Sequence, residues 1–345
     1  MSEVPNSFLA RFMHDESLSR SEAGRLLDWL LDGAATDAQI AATLIALKRK
    51  GETVEELAGF AEGMRARAIR INSRHRRFID TAGTGSSSVK TFNVSTAAAF
   101  VIAGAGLPVA KHGNRAASSR CGSADVLSAL GVNVTAEQAV SEGCLNDIGI
   151  CFMFAPLYHT TTARVAAIRR ELGVHTTFNL LGPLTNPAGA PRQIIGVWNR
   201  DLLEPMAKTL ALLGSERAWV VHGEDGLDEV TVTGRTFVAE TRDGEVRTFE
   251  IKPEEFGLPR AELNGLRCND AVASASIIKS VLAGKRRDAA RYLVIANAAA
   301  ALVVGGMTDD LRDGAQLASQ SIDSGAAMRK LDELTRTTEG SEDNR

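Results

Sequence analysis

The sequence has few cysteines for its 345 residues, and their spacing argues against a structural metal site. The four cysteines form no C-x-x-C pair, and no histidine stands at zinc-site spacing from them. Scattered cysteines in a chain of this length are typical of reduced, partly buried thiols. We therefore expect a cytoplasmic protein without structural zinc.

A long hydrophobic run is also missing from the sequence. The most apolar stretches, such as residues 97–105, have about half the length that spans a membrane. The residues after Met1 contain neither the basic region nor the apolar region of a signal peptide. We expect no membrane partner.

Neither sign of charge dominates the composition. Lysine and arginine number 39 against 42 aspartate and glutamate residues, so the net charge is −3. A general nucleic-acid coat protein needs a basic excess, so we expect no nucleic-acid partner. Any acidic ligand must then be bound by a local cluster of cations.

Aromatic residues make up only 5% of the chain, so its core must be built from alanine, leucine, valine and isoleucine. The 44% of hydrophobic and 23% of charged residues are typical of a globular protein and not of a disordered one. At roughly 150 residues per domain, the length predicts about two domains.

Residues 5–70 predict helices throughout. Three capping boxes precede apolar runs at helical spacing: Ser19-x-x-Glu22, Thr36-x-x-Gln39 and Thr53-x-x-Glu56. Gly33 and Gly51 stand where two of these helices should end. Because the segment carries few chemical groups, we interpret residues 1–72 as a small helical packing or dimerisation domain.

The pattern changes near residue 75 to short apolar runs that alternate with amphipathic helices. Strands are predicted at 78–80, 107–110, 148–154, 194–197, 218–221, 230–232 and 236–239, and helices at 96–105, 124–130, 136–142, 202–213 and 287–304. This alternation predicts a large α/β domain over residues 73–335 with a mainly parallel sheet, whose ligands bind beyond the carboxyl ends of the strands. We expect a polar tail at 336–345, with fraying from Thr335.

A loop of small residues, Gly83-Thr84-Gly85-Ser86-Ser87, follows the first predicted strand and leads to a helix. Its glycines let the backbone approach a ligand, and Asn93, Ser95 and Thr96 stand at a helix N-terminus, which favours phosphate. The loop fits neither the Walker A nor the G-x-G-x-x-G pattern, and a plain helix cap is an equal alternative.

A cationic segment, Lys111-His112-Gly113-Asn114-Arg115, follows the next strand, and Arg120 follows it after two serines. Cations, hydroxyls and a glycine together favour a phosphate or diphosphate site. An ordinary surface loop would contain acidic residues, and residues 107–124 contain none.

Two further segments have less specific patterns. Glu224, Asp225, Asp228 and Glu229 place four carboxylates in six residues, which suits either a Mg²⁺ ion that bridges to phosphate oxygens or a solvated turn. Arg169 could bind a substrate carboxylate, but an arginine pair on a helix is more often exposed to solvent.

Together these segments resemble the anthranilate phosphoribosyltransferase family over nearly the whole chain. The motifs that carry the resemblance are Gly83-Thr84-Gly85, Thr91-Phe92-Asn93-Val94-Ser95-Thr96, Lys111-His112-Gly113-Asn114-Arg115-x-x-Ser118-Ser119, Arg169-Arg170-Glu171-Leu172-Gly173, Phe178-Asn179-Leu180-Leu181-Gly182-Pro183-Leu184-Thr185-Asn186-Pro187 and Asp225-Gly226-Leu227-Asp228-Glu229.

The resemblance implies a small helical domain, with a later contribution from residues 160–180, and a homodimer joined through the helical parts. It also implies that anthranilate and 5-phosphoribosyl 1-diphosphate give N-(5-phosphoribosyl)anthranilate and diphosphate in L-tryptophan biosynthesis, with Mg²⁺ as cofactor. The amine of anthranilate is already neutral at pH 7, so catalysis would rest on orientation and on stabilising the leaving diphosphate.

The family motifs also imply residue roles. Positions that contact the phosphoribosyl donor correspond to Gly83, Ser86, Ser87, Thr91, Asn93, Val94, Ser95, Thr96, Lys111, His112, Gly113, Asn114, Arg115, Ala116, Ala117, Ser118, Ser119 and Ser123. Anthranilate positions correspond to Gly83, Asn114 and Arg169, and Mg²⁺ positions to Ser95, Asp228 and Glu229. We expect no covalent nucleophile; His112, Asn114 and Arg169 are the catalytic candidates, with His112 assisting proton loss.

The chain departs from the family pattern at three places. Ser86-Ser87 replaces the usual Gly-Asp, so a carboxylate is missing from the donor loop. His159-Thr160 stands where the family often has His-Pro, at a wall of the anthranilate pocket, and His175 stands where arginine is frequent.

Two alternatives follow from the same residues. A pyrimidine nucleoside phosphorylase has the same broad fold, but the acidic pair and Arg169 argue against it. A non-catalytic, transferase-like binding protein would explain the altered Ser86-Ser87 loop, but the retained cations and carboxylates argue against that as well.

Overall fold

The structure is a computed structural model that describes residues 5–85, 89, 91–115, 121–268 and 270–339. It opens with four helices: α1 (Pro5–Met13), α2 (Arg20–Leu31), α3 (Asp37–Lys50) and α4 (Val54–Arg67). All three predicted capping boxes are present at the starts of α2, α3 and α4. Gly33 and Gly51 follow α2 and α3 with φ angles of +80° and +85°, which a glycine adopts without strain.

One seven-stranded sheet forms the centre of the remaining chain. Its strands are β1 (Ile79–Asp80), β2 (Val109–Gly113), β3 (Ile150–Phe154), β4 (Arg192–Gly196), β5 (Arg217–Gly223), β6 (Thr236–Arg242) and β7 (Glu245–Ile251). They lie in the order β3-β2-β1-β4-β5-β6-β7. The first five in that order are parallel, and β6 and β7 are antiparallel. The predicted α/β class with a mainly parallel sheet is confirmed.

The strand order reverses at β1, which separates β2 and β3 on one side from β4 on the other. A crevice opens at such a switch point, beyond the carboxyl ends of the strands. The Gly83 loop leaves β1 at this point, so the topology brings it beside the end of β4.

Helices cover both faces of the sheet. They are α5 (Val94–Gly104), α6 (Ser123–Ala129), α7 (Gln138–Gly143), α8 (Ala155–Tyr158), α9 (Ala163–Leu172), α10 (Phe178–Leu184), α11 (Leu203–Leu212), α12 (Ala271–Leu282), α13 (Ala289–Val304), α14 (Leu311–Asp323) and α15 (Ala326–Glu339). The predicted fraying from Thr335 is wrong for residues 335–339, because α15 continues to Glu339 and buries Leu334 and Thr338.

The strand predicted at 230–232 is wrong. Val230 and Val232 are fully buried, but Asn297 donates to Val230 O and accepts from Val230 N, each at 2.9 Å. The Asn297 side chain therefore makes the two backbone hydrogen bonds at Val230 that a neighbouring strand would otherwise make. The sequence pattern also missed β7, an edge strand with mostly exposed side chains.

The helical part shares a hydrophobic core with one face of the sheet. Helices α1–α4 contribute to it, and α9 packs against α2 and α3. Val165 of α9 and Leu181 of α10 are buried in this core. The stretch near 160–180 therefore packs against the N-terminal helices. Among the described residues, no helix combines the length and apolar character that crossing a membrane requires.

Candidate active site

A cleft of about 340 Å³ opens at the switch point of the sheet. Its walls come from the Gly83 loop, the end of β2, the start of α5, the α9–α10 region and the acidic turn after β5. Arg115 and Glu229, far apart in sequence, both line it. The cationic and acidic segments therefore meet in one cavity.

The Gly83 loop is held against the end of β4. Thr84 donates to Gly196 O through its amide at 2.9 Å and through its hydroxyl at 3.0 Å. A Cβ on Gly83 would lie 3.1 Å from the same carbonyl oxygen, so glycine permits the close approach. The loop backbone is thereby fixed at the mouth of the crevice.

The start of α5 differs from a plain helix cap. Asn93 precedes the helix, but its side chain makes no capping hydrogen bond. Its Oδ1 instead accepts a hydrogen bond from the Ser274 hydroxyl at 3.0 Å, which ties α12 to the cleft. The amide of Ser95 donates to Glu229 Oε1 at 3.2 Å, so a carboxylate lies at this helix N-terminus.

The four carboxylates of the acidic turn do not form one cluster. Glu224 is paired with Arg235 at 2.8 Å, and Asp225 accepts hydrogen bonds from the hydroxyls of Thr231 and Thr233. Only Asp228 and Glu229 line the cleft. Glu224 and Asp225 are therefore engaged within the turn itself, and Asp228 and Glu229 are the two carboxylates placed to meet a metal.

Burial raises the pKa of Glu229 to about 8, and repulsion from the nearby Asp228 carboxylate adds to this shift, because both disfavour the charged form of Glu229. A divalent cation would relieve this repulsion, so the donor chemistry fits Mg²⁺. The described residues contain no group of three or more metal-ligating side chains. The protein would therefore supply two carboxylates and the hydroxyl of Ser95, which also lines the cleft, and the remaining ligands would be phosphate oxygens and waters.

Lys111 lies at the floor of the cleft with only 4% of its surface exposed. Its ammonium donates to Thr81 O at 3.2 Å and to Thr81 Oγ1 at 3.1 Å. Burial lowers the pKa of Lys111, and the carboxylates of Asp80 and Glu229 oppose that shift. Lys111 is thus a fixed internal cation rather than a flexible surface lysine.

His112 is buried beside a second histidine. Its Nδ1 donates to Gly182 O at 3.2 Å, and its Nε2 has no hydrogen-bond partner among the described residues. The centres of the His112 and His159 rings lie 5.2 Å apart. Burial lowers the pKa of His112 to about 3, so the ring is neutral at pH 7. His159, expected at a pocket wall, lies behind His112 and not among the residues that line the cleft.

Asn114 and Arg115 stand at the rim of the cleft. Arg115 pairs with Asp125 at 3.1 Å and lies 5.7 Å from the centre of the Phe154 ring. The acidic partner lies one residue beyond the acid-free segment 107–124. Asn114 O accepts a hydrogen bond from Ala124 N at 3.2 Å, which connects the segment to α6.

Arg169, near the end of α9, lines the cleft together with Phe178 and Asn179 of α10; these three residues are called the Arg169 corner below. Its Nη2 donates to Asn179 Oδ1 at 3.0 Å, and its guanidinium lies 5.5 Å from the centre of the Phe178 ring. Its buried Nε has no hydrogen-bond partner among the described residues, and burial lowers the pKa of Arg169 to about 10. A desolvated cation beside an aromatic ring suits an aromatic carboxylate.

The cleft brings together most of the site residues expected from sequence. Those that line it are Gly83, Thr91, Asn93, Ser95, Lys111, His112, Gly113, Asn114, Arg115, Ser123, Arg169, Asp228 and Glu229. Val94 and Thr96 do not line it, because both are buried in the packing of α5. Ser86, Ser87, Ala116, Ala117, Ser118 and Ser119 lie outside the described residues.

Sequence reasoning missed several residues that shape the cleft. A Cβ on Gly196 would lie 1.6 Å from Asp228 O, so this glycine lets the acidic turn pack on β4. Asn297 fixes the backbone at Val230, next to the acidic pair. Asp80 ends β1 and is fully buried. Only its place at a strand end could have indicated Asp80; Gly196 and Asn297 carry no local signal.

A larger groove of about 720 Å³ lies at the outer part of the sheet, near α11, β6 and β7. Its lining includes Arg200, Lys208 and Phe237, and none of the site residues expected from sequence. The convergence of charged groups, and not the size of the cavity, therefore identifies the site.

Comparison with protein families matches both parts of the chain. Residues 6–68 match the helical bundle domain of a glycosyl transferase family, and residues 75–328 match the a/b domain of that family.

Individual relatives extend the similarity over nearly the full length. An anthranilate phosphoribosyltransferase of Anaeromyxobacter dehalogenans is 53% identical, covering 96% of this chain and 97% of the relative. The structure is similar to that of the Thermus thermophilus enzyme of the same name, with a TM-score of 0.90, 38% identity and coverage of 96% and 99%. It is also similar to the Saccharomyces cerevisiae enzyme in complex with PRPP and Mg, with a TM-score of 0.89, 28% identity and coverage of 98% and 99%.

Proposed function

The chain belongs to the anthranilate phosphoribosyltransferases within the glycosyl transferase family, and on this premise we propose how its cleft performs their reaction. It transfers the phosphoribosyl group of 5-phosphoribosyl 1-diphosphate to anthranilate, giving N-(5-phosphoribosyl)anthranilate and diphosphate in tryptophan biosynthesis. The observation that carries the proposal is the meeting of the cationic and acidic segments in one cleft.

The phosphoribosyl donor binds between these two segments. Its diphosphate faces Lys111 and the Asn114–Arg115 rim, and the Gly83 loop backbone approaches its sugar phosphate. Because Lys111 is held by Thr81, its charge is already oriented before the donor arrives. Preorganised cations of this kind stabilise the charge that develops on a leaving diphosphate.

Asp228, Glu229 and Ser95 hold Mg²⁺ with the donor. When bound, the ion neutralises charge on the diphosphate as it leaves. The paired carboxylates at the end of the acidic turn support this role, as does the Mg in the complex of the yeast relative.

Anthranilate binds in the Arg169 corner of the cleft. The free Nε–H of Arg169 meets its carboxylate, and the Phe178 ring lies within reach of its aromatic ring. Asn114 and Gly83 complete the contacts on the donor side. The neutral amine is then directed at C1 of the ribose, and catalysis rests on orientation.

His112 is the nearest candidate to accept the proton that the amine loses. Its Nδ1 is committed to Gly182 O, which leaves Nε2 as the acceptor. A pKa of about 3 makes the ring a weak base, so it assists only after the bond to C1 has formed and the amine has become acidic.

The fluorescence of anthranilate provides the test of the proposed function. We expect it to disappear only when the protein, 5-phosphoribosyl 1-diphosphate and Mg²⁺ are all present. Phosphorolysis of thymidine or uridine would instead favour the phosphorylase alternative. Folded protein that consumes no anthranilate would contradict the proposal.

We further propose a homodimer joined through the helical part, in the cytoplasm. Met13 and Ile45 are large apolar side chains with 59% and 41% of their surface exposed, on the adjacent helices α1 and α3. The four cysteines form no disulfide within the described residues, in keeping with a reducing compartment.

A further inference from the structure

A buried polar network lies directly beneath the cleft, around the carboxylate of Asp80. This side chain is fully buried and does not line the cavity. Its Oδ1 accepts hydrogen bonds from Ala82 N at 3.1 Å and from His112 N at 3.2 Å. Its Oδ2 accepts one from Asn186 Nδ2 at 2.7 Å. One carboxylate therefore joins the ends of β1 and β2 to the turn after α10.

Asn186 extends this network. Its Nδ2 also donates to Ala110 O at 2.9 Å, and its Oδ1 accepts from Ala188 N at 2.9 Å. The side chain is 6% exposed and, like Asp80, does not line the cleft. Asn186 thus fixes which way the Asp80 carboxylate faces, without touching a substrate.

Lys111 connects the network to the reacting groups. It lies within electrostatic reach of both Asp80 and Glu229. The negative charge of Asp80 balances the ammonium of Lys111, which keeps its hydrogen bonds to Thr81. Without that charge, Glu229 would be its nearest carboxylate, and the pair would compete with a bound cation for Glu229.

We propose that Asp80 and Asn186 are positioning residues that hold Lys111 and the His112 backbone in place for the phosphoribosyl donor. This inference rests on the proposed function. It implies that their loss weakens use of the donor and of Mg²⁺ and leaves use of anthranilate nearly unchanged, because the contacts of Arg169 are with Asn179 and Phe178 and not with this network.

The test compares Asp80→Asn and Asn186→Ala with the wild-type protein in steady-state kinetics. Asp80→Asn keeps the shape and removes the charge, and we expect kcat/KM for the donor to fall about 100-fold. Asn186→Ala removes one hydrogen bond to a charged group, and we expect a fall of about tenfold. In both variants the half-saturating Mg²⁺ concentration should rise, and KM for anthranilate should change less than about threefold.

Two controls separate positioning from stability. Ser321→Ala removes a buried hydrogen bond of 2.8 Å to Val101 O, away from the cleft, and should lower the unfolding temperature without changing kcat/KM. The double variant Asp80→Asn/Lys111→Met removes both buried charges. It should unfold at a higher temperature than Asp80→Asn, because the buried ammonium is then no longer left without its balancing carboxylate.

The outcomes distinguish this inference from the proposed function. Wild-type protein without anthranilate consumption would contradict the proposed function. Active wild type together with unchanged donor kinetics in Asp80→Asn would overturn the positioning role alone. A double variant that unfolds at no higher temperature than Asp80→Asn would overturn it too, because Asp80 would then not balance the charge of Lys111. If Asp80→Asn does not fold, the tenfold effect of Asn186→Ala decides.

Discussion

Single side chains in the cleft owe their chemistry to burial. Burial shifts the pKa of three of them, Lys111, His112 and Glu229, in the direction that favours the neutral side chain. The sequence indicated these residues as site candidates. It could not indicate their burial, which depends on strands and helices that are distant in the chain.

Replacing Arg169 with glutamine should act mainly on anthranilate. The variant keeps a hydrogen-bond donor but loses the charge, so we expect KM for anthranilate to rise about 10- to 100-fold. KM for the donor should change less than about threefold, since Arg169 contacts Asn179 and Phe178 and not the cationic or acidic segment. Arg170→Gln, the exposed neighbour on the same helix, is the matched control. Equal effects of the two substitutions in steady-state kinetics would remove the assigned role.

The buried His112 should make stability depend on pH. Its pKa is about 3 in the folded chain and near 6.5 in the unfolded one, so between these values only the unfolded chain binds the proton. The free energy of unfolding should therefore fall as the pH drops below 6.5, and the contribution of this residue approaches about 1.4 kcal/mol per pH unit once the unfolded imidazole is fully protonated.

Urea unfolding at pH 6.5 and pH 5.5 measures this contribution. His112→Asn keeps a donor toward Gly182 O and should lose about 1 kcal/mol less than the wild type between the two pH values, because the unfolded imidazole is already half protonated at pH 6.5. His14→Asn, at an exposed position, should behave like the wild type. Parallel pH profiles of His112→Asn and wild type would contradict the buried neutral state.

At the scale of elements, sequence patterns predicted the structure correctly where all the residues involved are close together in the chain. The three capping boxes form as predicted because each involves residues only three apart. The strand at 230–232 was wrong because its burial resembles that of a strand, while its backbone partner is the Asn297 side chain. The edge strand β7 was missed because its charged, mostly exposed residues do not form the apolar pattern of a strand. The only hairpin signal is the Asp243-Gly244 turn before it.

The contact between β4 and the acidic turn yields a prediction at this scale. In Gly196→Ala the added Cβ would lie 1.6 Å from Asp228 O, so the turn must move away from β4. We expect the free energy of unfolding to fall by about 1–3 kcal/mol or more, with weaker Mg²⁺ dependence of turnover. In Gly143→Ala, the matched control, the Cβ would meet nothing nearer than 4.0 Å and stability should not fall. Urea denaturation compares the two, and an equally tolerated Gly196→Ala would contradict the packing described.

On the scale of the whole molecule, the sequence indicated the α/β class, and the topology explains the site. The order of the strands places the Gly83 loop, the cationic segment and the acidic turn around one crevice. Strand order cannot be inferred from local patterns, because it is set by which buried faces pack together. The meeting of Arg115 and Glu229 in one cleft therefore follows from the fold and not from any local pattern.

The exposed apolar residues of α1 and α3 give a prediction about assembly. Sedimentation equilibrium should find twice the chain mass of 36.7 kDa for the wild type. Ile45→Lys together with Met13→Lys should shift the population toward monomer, because each buries a charge in the proposed interface. Val272→Lys, on α12 at a position 72% exposed, should remain dimeric. A wild-type monomer would contradict the proposed homodimer.

The central claim is that the cationic and acidic segments hold one Mg²⁺-bound sugar diphosphate, and calorimetric titration with 5-phosphoribosyl 1-diphosphate tests it most directly. Titrations with and without Mg²⁺ are compared between the wild type and the variant Asp228→Asn/Glu229→Gln. We predict that Mg²⁺ strengthens binding at least about tenfold in the wild type and hardly at all in the variant. An equal gain from Mg²⁺ in both proteins would contradict the claim.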